Sequence, residues 1–268
     1  MVKHKLVIHV GMPKTGSSSL QRFLAMNADV LLRHGWSYPD TVGNFLNETV
    51  ETEGRWINGG LYPFVLGHLE EKTNWKADYE FFIKTVDDYF QNSNVILSEE
   101  NIWIYTEGIE FLSFLKERYH DVEVIVYLRR QDEEIVSMHS QLVKSCDMLH
   151  GLNLKESIIS TADFAKDIVN GKSQLSDMLD YKTVLAGLES GVGERNLYVF
   201  IYDEVRHCLK EHFVNWLGID YGEFIETENV NVTNDNLAIE AKRRFNKVIQ
   251  HNPHSIIRYL DQEYRSLM

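Results

Sequence analysis

Only two cysteines, Cys146 and Cys208, occur in the 268 residues, too few and too far apart for a disulfide framework or a cysteine metal cluster. Each reads as a small core or half-buried residue. A long apolar stretch is also missing. Near the N-terminus only a short apolar run follows Lys3 and Lys5, so neither a secretory signal nor a spanning helix is expected there or elsewhere, and the expected setting is cytoplasmic, with no membrane insertion. The matches to the glycosylation pattern at Asn47-Glu-Thr49 and Asn231-Val-Thr233 then mean little. Positive charge is in deficit: 27 Lys+Arg against 40 Asp+Glu give a net charge of −13, which disfavours nucleic acid or an anionic membrane as the main partner. Any anion must be met in a local pocket. Internal repeats and low-complexity tracts are absent as well. What is present, 44% hydrophobic and 25% charged residues, suffices for a sizeable core, and a single domain over residues 1–268 is expected.

Leu6 to Val10 is a short apolar run that breaks at Gly11, passes Pro13, Lys14 and Gly16, and opens Ser17, Ser18 and Ser19 into an amphipathic pattern. It reads as strand, anion-binding loop, helix. Leu20, Phe23, Leu24, Asn27 and Leu31 recur near a helical period with Gln21 and Arg22 pointing elsewhere, and Arg33-His34-Gly35 ends that helix. From residue 36 to 75 periodicity is lost and Trp36, Tyr38, Trp56, Tyr62, Phe64, His68 and Trp75 collect among glycines, an irregular aromatic-rich insert. Asp78 to Phe90 resumes helical spacing. Asn94 to Ser98 is a short strand ending at Glu99-Glu100, and Glu107 to Tyr119 is a helix. Val122 to Leu128 suits a buried parallel strand and runs into Arg129-Arg130; Asp132 to Lys144 follows as a helix with acids in its first turn. Two or three helices lie between Cys146 and Gly191, Leu197 to Tyr202 is a late strand, and Asp203 caps a helix running to Leu217. Asn234 or Asp235 caps a last helix through about Gln250.

This alternation predicts an α/β fold, a central parallel β-sheet flanked by helices. Ligands of such sheets sit beyond the carboxyl ends of the strands, so Gly11 to Ser19, Glu99-Glu100 and Arg129-Arg130 are expected to share one pocket.

Free N–H groups at a helix start favour a phosphate-like anion, Lys14 adds a full charge, and Thr15, Ser17, Ser18 and Ser19 add short donors. The nucleotide-triphosphate loop G-x-x-x-x-G-K-[ST] places its lysine after the second glycine. Here Gly11 and Gly16 have that separation, but Ser17 stands where the lysine would be and Lys14 lies before the glycine. Pro-Lys-Thr-Gly-Ser-Ser-Ser-Leu-Gln after an N-terminal strand instead resembles the 5′-phosphosulfate loop of the sulfotransferases, which use 3′-phosphoadenosine 5′-phosphosulfate (PAPS) and release adenosine 3′,5′-bisphosphate. Tyr127-Leu-Arg129 followed by Ser137 resembles the strand-Arg-x7-Ser segment that holds the 3′-phosphate in that family. Arginine suits this because its planar fork pairs with phosphate oxygens. The family often has Asn-Pro or Asp-Pro after the arginine, whereas Arg130-Gln131 stands here, leaving Arg130 as a second anion contact or a surface charge.

Ile96-Leu-Ser98-Glu99-Glu100-Asn101 resembles the strand-Ser-Ser-Glu-Asn segment of bacterial and glycan sulfotransferases, whose glutamate is the general base. Aligning Ser98 and Asn101 makes Glu100 the base, with Glu99, His68 and His139 as rivals. Residues from Asn231 to Asn246, and the strand-helix unit from Tyr198 to Leu217, carry weaker likenesses to the family's late segments. The resemblance implies a P-loop-like sulfotransferase fold, with Lys14, Thr15, Gly16, Ser17, Ser18 and Ser19 on the 5′-phosphosulfate and Arg129 and Ser137 on the 3′-phosphate. It also implies a carbohydrate or glycolipid hydroxyl as acceptor, at a cleft to which the insert contributes. No metal is expected, because Lys14 and the loop supply the positive field. A small-molecule kinase and a non-catalytic nucleotide- or glycan-binding relative are the competing readings.

Overall fold

The computed structural model describes residues 4–12, 14–39, 83–84, 86–99, 102, 106–145, 154–173, 175–227 and 236–251. Pro13, Glu100, Asn101, Cys146, His68 with residues 40–75 of the insert, and residues 231–235 lie outside them. In chain order the labelled helices are α1 (Ser17–Met26), α2 (Ala28–Arg33), α3 (Thr106–Tyr119), α4 (Gln131–Lys144) and α5 (Leu154–Ile158). They continue with α6 (Thr161–Val169), α7 (Tyr181–Val192), α8 (Tyr202–Val205), α9 (Leu209–Trp216) and α10 (Asn236–His251). The chain divides into two compact units, Met1–Arg130 with Asp180–Val230, and Gln131–Leu179 with Asn231–Met268.

The first unit is built on a five-stranded parallel sheet in the order β2-β3-β1-β4-β5. Its strands are β1 (Leu6–Val10), β2 (Trp36–Ser37), β3 (Asn94–Glu99), β4 (Val122–Leu128) and β5 (Leu197–Ile201). Every residue of β1 and β4 is buried, which is why both read in sequence as nearly unbroken apolar runs. The α/β fold and its parallel sheet are as the alternation predicts. In register, Val10 stands opposite Glu99 on one side and Val126 on the other, so the loops after β1, β3 and β4 leave from the same edge. One sheet face, through Val7, Ile96, Ile125 and Tyr127, packs on Leu20, Phe23 and Leu24 of α1 and on Leu209, Phe213 and Val214 of α9.

Local expectations change at several points. The insert drawn from residue 36 takes in part of the sheet: Trp36–Ser37 pairs with β3 as β2, and Trp36 and Tyr38 are only 7% and 5% exposed in the core. Cys208, expected in the core or half-buried, is exposed. The helix drawn through Leu31 is broken at Asn27, whose amide donates to the carbonyls of Phe23 and Ile225 while its oxygen accepts from the Ile225 N–H. A side chain that bonds backbone in this way competes with the helical ladder. Asp203 does not cap one long helix; its carboxylate accepts from the Arg130 N–H at 3.0 Å, and the helix splits into α8 and α9. Gln21, expected to point away from the packed face, is 7% exposed and bonded to β3.

The second unit is helical. α10 packs on α4 and α5, and α6 on α4. Met138, Val143, Phe164, Ile168 and Ile239 are buried in it. Ser160 caps α6 by accepting from the Asp163 N–H. Asn246 donates to the Val143 carbonyl and Arg243 to the Ile158 carbonyl, so α10 is tied to its neighbours by polar bonds as well as by packing. Among the described residues no helix is long and apolar enough to cross a membrane.

Candidate functional site

The site is assembled at the carboxyl edge of the sheet in the first unit. The Gly11 N–H donates to the Glu99 carbonyl at 2.9 Å, so the loop leaves β1 already tied to the end of β3. Lys14 and Gly16 both have left-handed backbones, with φ of 62° and 77°. Turns of this kind swing successive N–H groups to one side and form anion-binding concavities. The Thr15 hydroxyl donates to the Met12 carbonyl at 2.7 Å and the Ser17 hydroxyl donates to the same oxygen at 3.3 Å. Both residues are buried, and these bonds hold the curvature of the loop itself. Ser18 and Ser19 are half-buried in the first turn of α1. The Leu20 N–H donates to the Gly16 carbonyl at 3.0 Å, so the α1 ladder reaches back to the loop's own glycine.

Gly16 is required where it stands. A Cβ there would lie 2.9 Å from Leu209 Cδ2 and 3.5 Å from the Tyr202 hydroxyl, on a backbone that L-residues rarely adopt. The start of α9 and the Tyr202 ring therefore press directly on the loop.

Arg129 leaves the end of β4 toward the same loop. Its Nη1 donates to the Lys14 carbonyl at 3.3 Å, its guanidinium lies 5.9 Å from the centroid of the Tyr202 ring, and its own carbonyl accepts from the Tyr181 hydroxyl at 2.8 Å. Two sequence signatures 115 residues apart thus meet at Lys14 and Arg129. The topology of adjacent β1 and β4 does this. Glu99, at the end of β3, is 5% exposed, and Arg130 is exposed. Ser137 falls in the second unit, half-buried on α4. Glu100 and His68 lie outside the described residues.

His139, a rival base in sequence, is buried in the second unit. Its Nε2 donates to the Glu156 carbonyl at 3.1 Å and its Nδ1 accepts from the Thr161 hydroxyl at 3.0 Å. Desolvation holds its pKa below the ordinary imidazole value, against the pull of backbone acceptors.

Three residues of the site escaped sequence reasoning. Tyr202 stood as the last residue of a strand, and nothing local marks its approach to Gly16. His9 carried a signal: it is the one polar residue in Leu-Val-Ile-His-Val. Gln21 carried none. Beneath the loop, His9 Nδ1 lies 2.8 Å from Ser98 Oγ, and Gln21 Nε2 donates to the same Oγ at 3.1 Å. His9 is fully buried, and desolvation lowers its pKa to about 3, so the ring is neutral.

No family model matches the chain, and no curated protein does. Solved structures do. A sulfotransferase from Alicyclobacillus acidocaldarius is 15% identical, over 96% of this chain and 100% of that one, with a TM-score of 0.46. The sulfotransferase domain of the curacin biosynthetic pathway is 10% identical, over 82% and 75% of the two chains, with a TM-score of 0.42. A sulfotransferase from Mycobacterium avium is 12% identical, over 95% and 70%, with a TM-score of 0.40. At these identities and scores, function has to be read from the residues.

Proposed function

We propose that the protein is a PAPS-dependent sulfotransferase. The observation that carries this reading is the bond from Arg129 to the Lys14 carbonyl, which brings a cation from the end of β4 onto a loop whose lysine precedes its second glycine. A γ-phosphate site would want the lysine after that glycine. The loop fits the donor's 5′ end in other respects: it narrows at Gly16 until no Cβ fits, and it presents left-handed residues at the start of a helix.

PAPS supplies a sulfuryl group on a phosphate oxygen, and adenosine 3′,5′-bisphosphate is what remains when that bond breaks. Lys14 and the N–H groups at the start of α1 would stabilise charge growing on the leaving phosphate oxygen, an effect worth ~3 kcal/mol per well-placed donor in a dry site. Arg129 and Ser137 would hold the 3′-phosphate. Glu100 would take the proton from the acceptor hydroxyl as that oxygen bonds to sulfur, and partial burial would have to raise its pKa for this. The acceptor we favour is a sugar hydroxyl, because Trp56, Tyr62, Phe64 and Trp75 suit a pyranose face, whereas Trp36 and Tyr38 are buried in the core.

Calorimetry with adenosine 3′,5′-bisphosphate and with Mg·ATP tests the donor. Tight binding that depends on the 3′-phosphate is expected. Strong Mg·ATP binding with no contribution from a 3′-phosphate would replace this reading with a kinase. Glu100→Gln should keep nucleotide affinity and abolish transfer of labelled sulfate; retained transfer would move the base elsewhere.

A further inference from the structure

The sheet interior carries a polar assembly that the transfer chemistry does not itself use. His9 on β1, Ser98 on β3 and Gln21 on α1 are 0%, 1% and 7% exposed, and all three meet at the Ser98 hydroxyl. Gln21 Nε2 also lies 3.4 Å from the Ser98 carbonyl. Two aromatic rings also flank His9, with the centroids of Tyr127 and Phe213 at 5.8 Å and 6.0 Å.

Proton accounting fixes how the three groups pair. Ser98 Oγ accepts from the Gln21 amide, which leaves its own proton for His9 Nδ1, and the imidazole is then the Nε2–H tautomer. The opposite tautomer would leave the Ser98 hydroxyl proton without an acceptor and the Nε2 lone pair without a donor among the described residues, a larger cost in a dry core. Even in the better arrangement Nε2 meets no partner among the described residues. A leucine or valine here would pack without that cost. Histidine at this position is therefore explained by what its Nδ1 bond holds in place.

What it holds is the foundation of the anion loop. His9 is two residues before Gly11, where the loop begins; Gln21 lies on the helix that the loop opens; Ser98 directly precedes Glu99, whose carbonyl accepts from Gly11. The brace thus joins the strand entering the loop, the helix leaving it and the strand end that continues to Glu100. Being uncharged, it does this without competing for the anion.

We infer that His9, through Ser98 and Gln21, is a positioning residue that sets the loop for the 5′-phosphate end of the donor. This rests on the reading of the loop as a phosphosulfate site. A comparison of two probes isolates it: adenosine 3′,5′-bisphosphate uses the loop, whereas adenosine 3′-monophosphate lacks the 5′-phosphate. In His9→Phe, which keeps the bulk and removes the bond, affinity for the bisphosphate should fall about tenfold while affinity for the monophosphate stays within about twofold. The amide of His9→Asn can stand near the Nδ1 position and should restore the bisphosphate preference. The longer His9→Gln mimics Nε2 and should not. Ser98→Ala removes a single oxygen, cuts both arms of the brace, and carries the test if His9→Phe fails to fold.

Equal losses for the two probes, or equal behaviour of the Asn and Gln variants, would overturn the inference and leave His9 as core filling. If the wild-type protein itself shows no preference for the bisphosphate, the sulfotransferase reading is what fails.

Discussion

Gly16→Ala probes the loop most directly. The substitution adds one methyl group at a residue with φ of 77°. An L-residue held in the left-handed region costs ~1–2 kcal/mol. The new Cβ would also stand 2.9 Å from Leu209 Cδ2, and Leu209 is itself only 7% exposed, so its methyl group has little room to withdraw. Overpacking of that kind adds ~1–3 kcal/mol. Gly35→Ala supplies the control: its φ is 78°, the same backbone strain, but nothing lies within 4 Å of a Cβ there. Chemical denaturation should therefore show Gly35→Ala losing ~1–2 kcal/mol and Gly16→Ala losing ~2–5 kcal/mol. Only Gly16→Ala should also weaken adenosine 3′,5′-bisphosphate, because only there does relief of the clash displace the loop. Equal destabilisation of the two variants would refute the argument that Leu209 and Tyr202 shape the loop, and an unchanged affinity in Gly16→Ala would refute its place in the site.

Lys14→Met keeps a side chain of similar length on the same left-handed backbone and removes the charge, so affinity for adenosine 3′,5′-bisphosphate should drop by about tenfold or more, as for loss of a charge-assisted contact; calorimetry showing no change would remove Lys14 from the site. His9 gives a pH signature: its folded-state pKa of about 3 lies below the ordinary 6.5, so the unfolded chain takes up the proton first. Its contribution to stability is complete above the unfolded value and is lost as pH falls from there toward the folded one, at ~1.4 kcal/mol per pH unit. Denaturation of wild type and His9→Asn between pH 7 and pH 4 should show the variant's stability declining less steeply; parallel curves would mean that His9 is not a buried neutral imidazole.

Much of the fold is written in short-range patterns. β4 is bounded as the sequence predicts because a strand with both faces and both edges covered has to be mostly apolar; β4 and β1 each carry one polar exception with a partner, Glu123 paired with Lys5 and His9 bonded to Ser98. The left-handed backbone at Gly16 is a finding of the structure, but the order of strand, glycine-containing turn and helix from Leu6 to Met26 was equally readable, since an apolar run broken at Gly11 and followed by a helical period is a local pattern. The breaks at Asn27 and after Asp203 were not, because each depends on a distant backbone group, the Ile225 peptide in one case and the Arg130 N–H in the other. Gln21 failed for a similar reason. A polar residue beside an apolar stripe normally faces solvent, and only the approach of Ser98 makes its burial favourable.

The sequence by itself determined four of the five strands, the chemistry available at the turn from β1 to α1, and the presence of an arginine at the end of a buried strand. Those follow from the periodicity of side chains and from the few backbones that glycine alone adopts freely. The tertiary structure decided which of these groups meet. Setting β1 between β3 and β4 brings Arg129 to the Lys14 carbonyl across 115 residues, and His9 to Ser98 across 89. Strand order is a property of long-range pairing, in which the cost of closing each loop is balanced against burial summed over the whole sheet, and no window of the chain contains that sum.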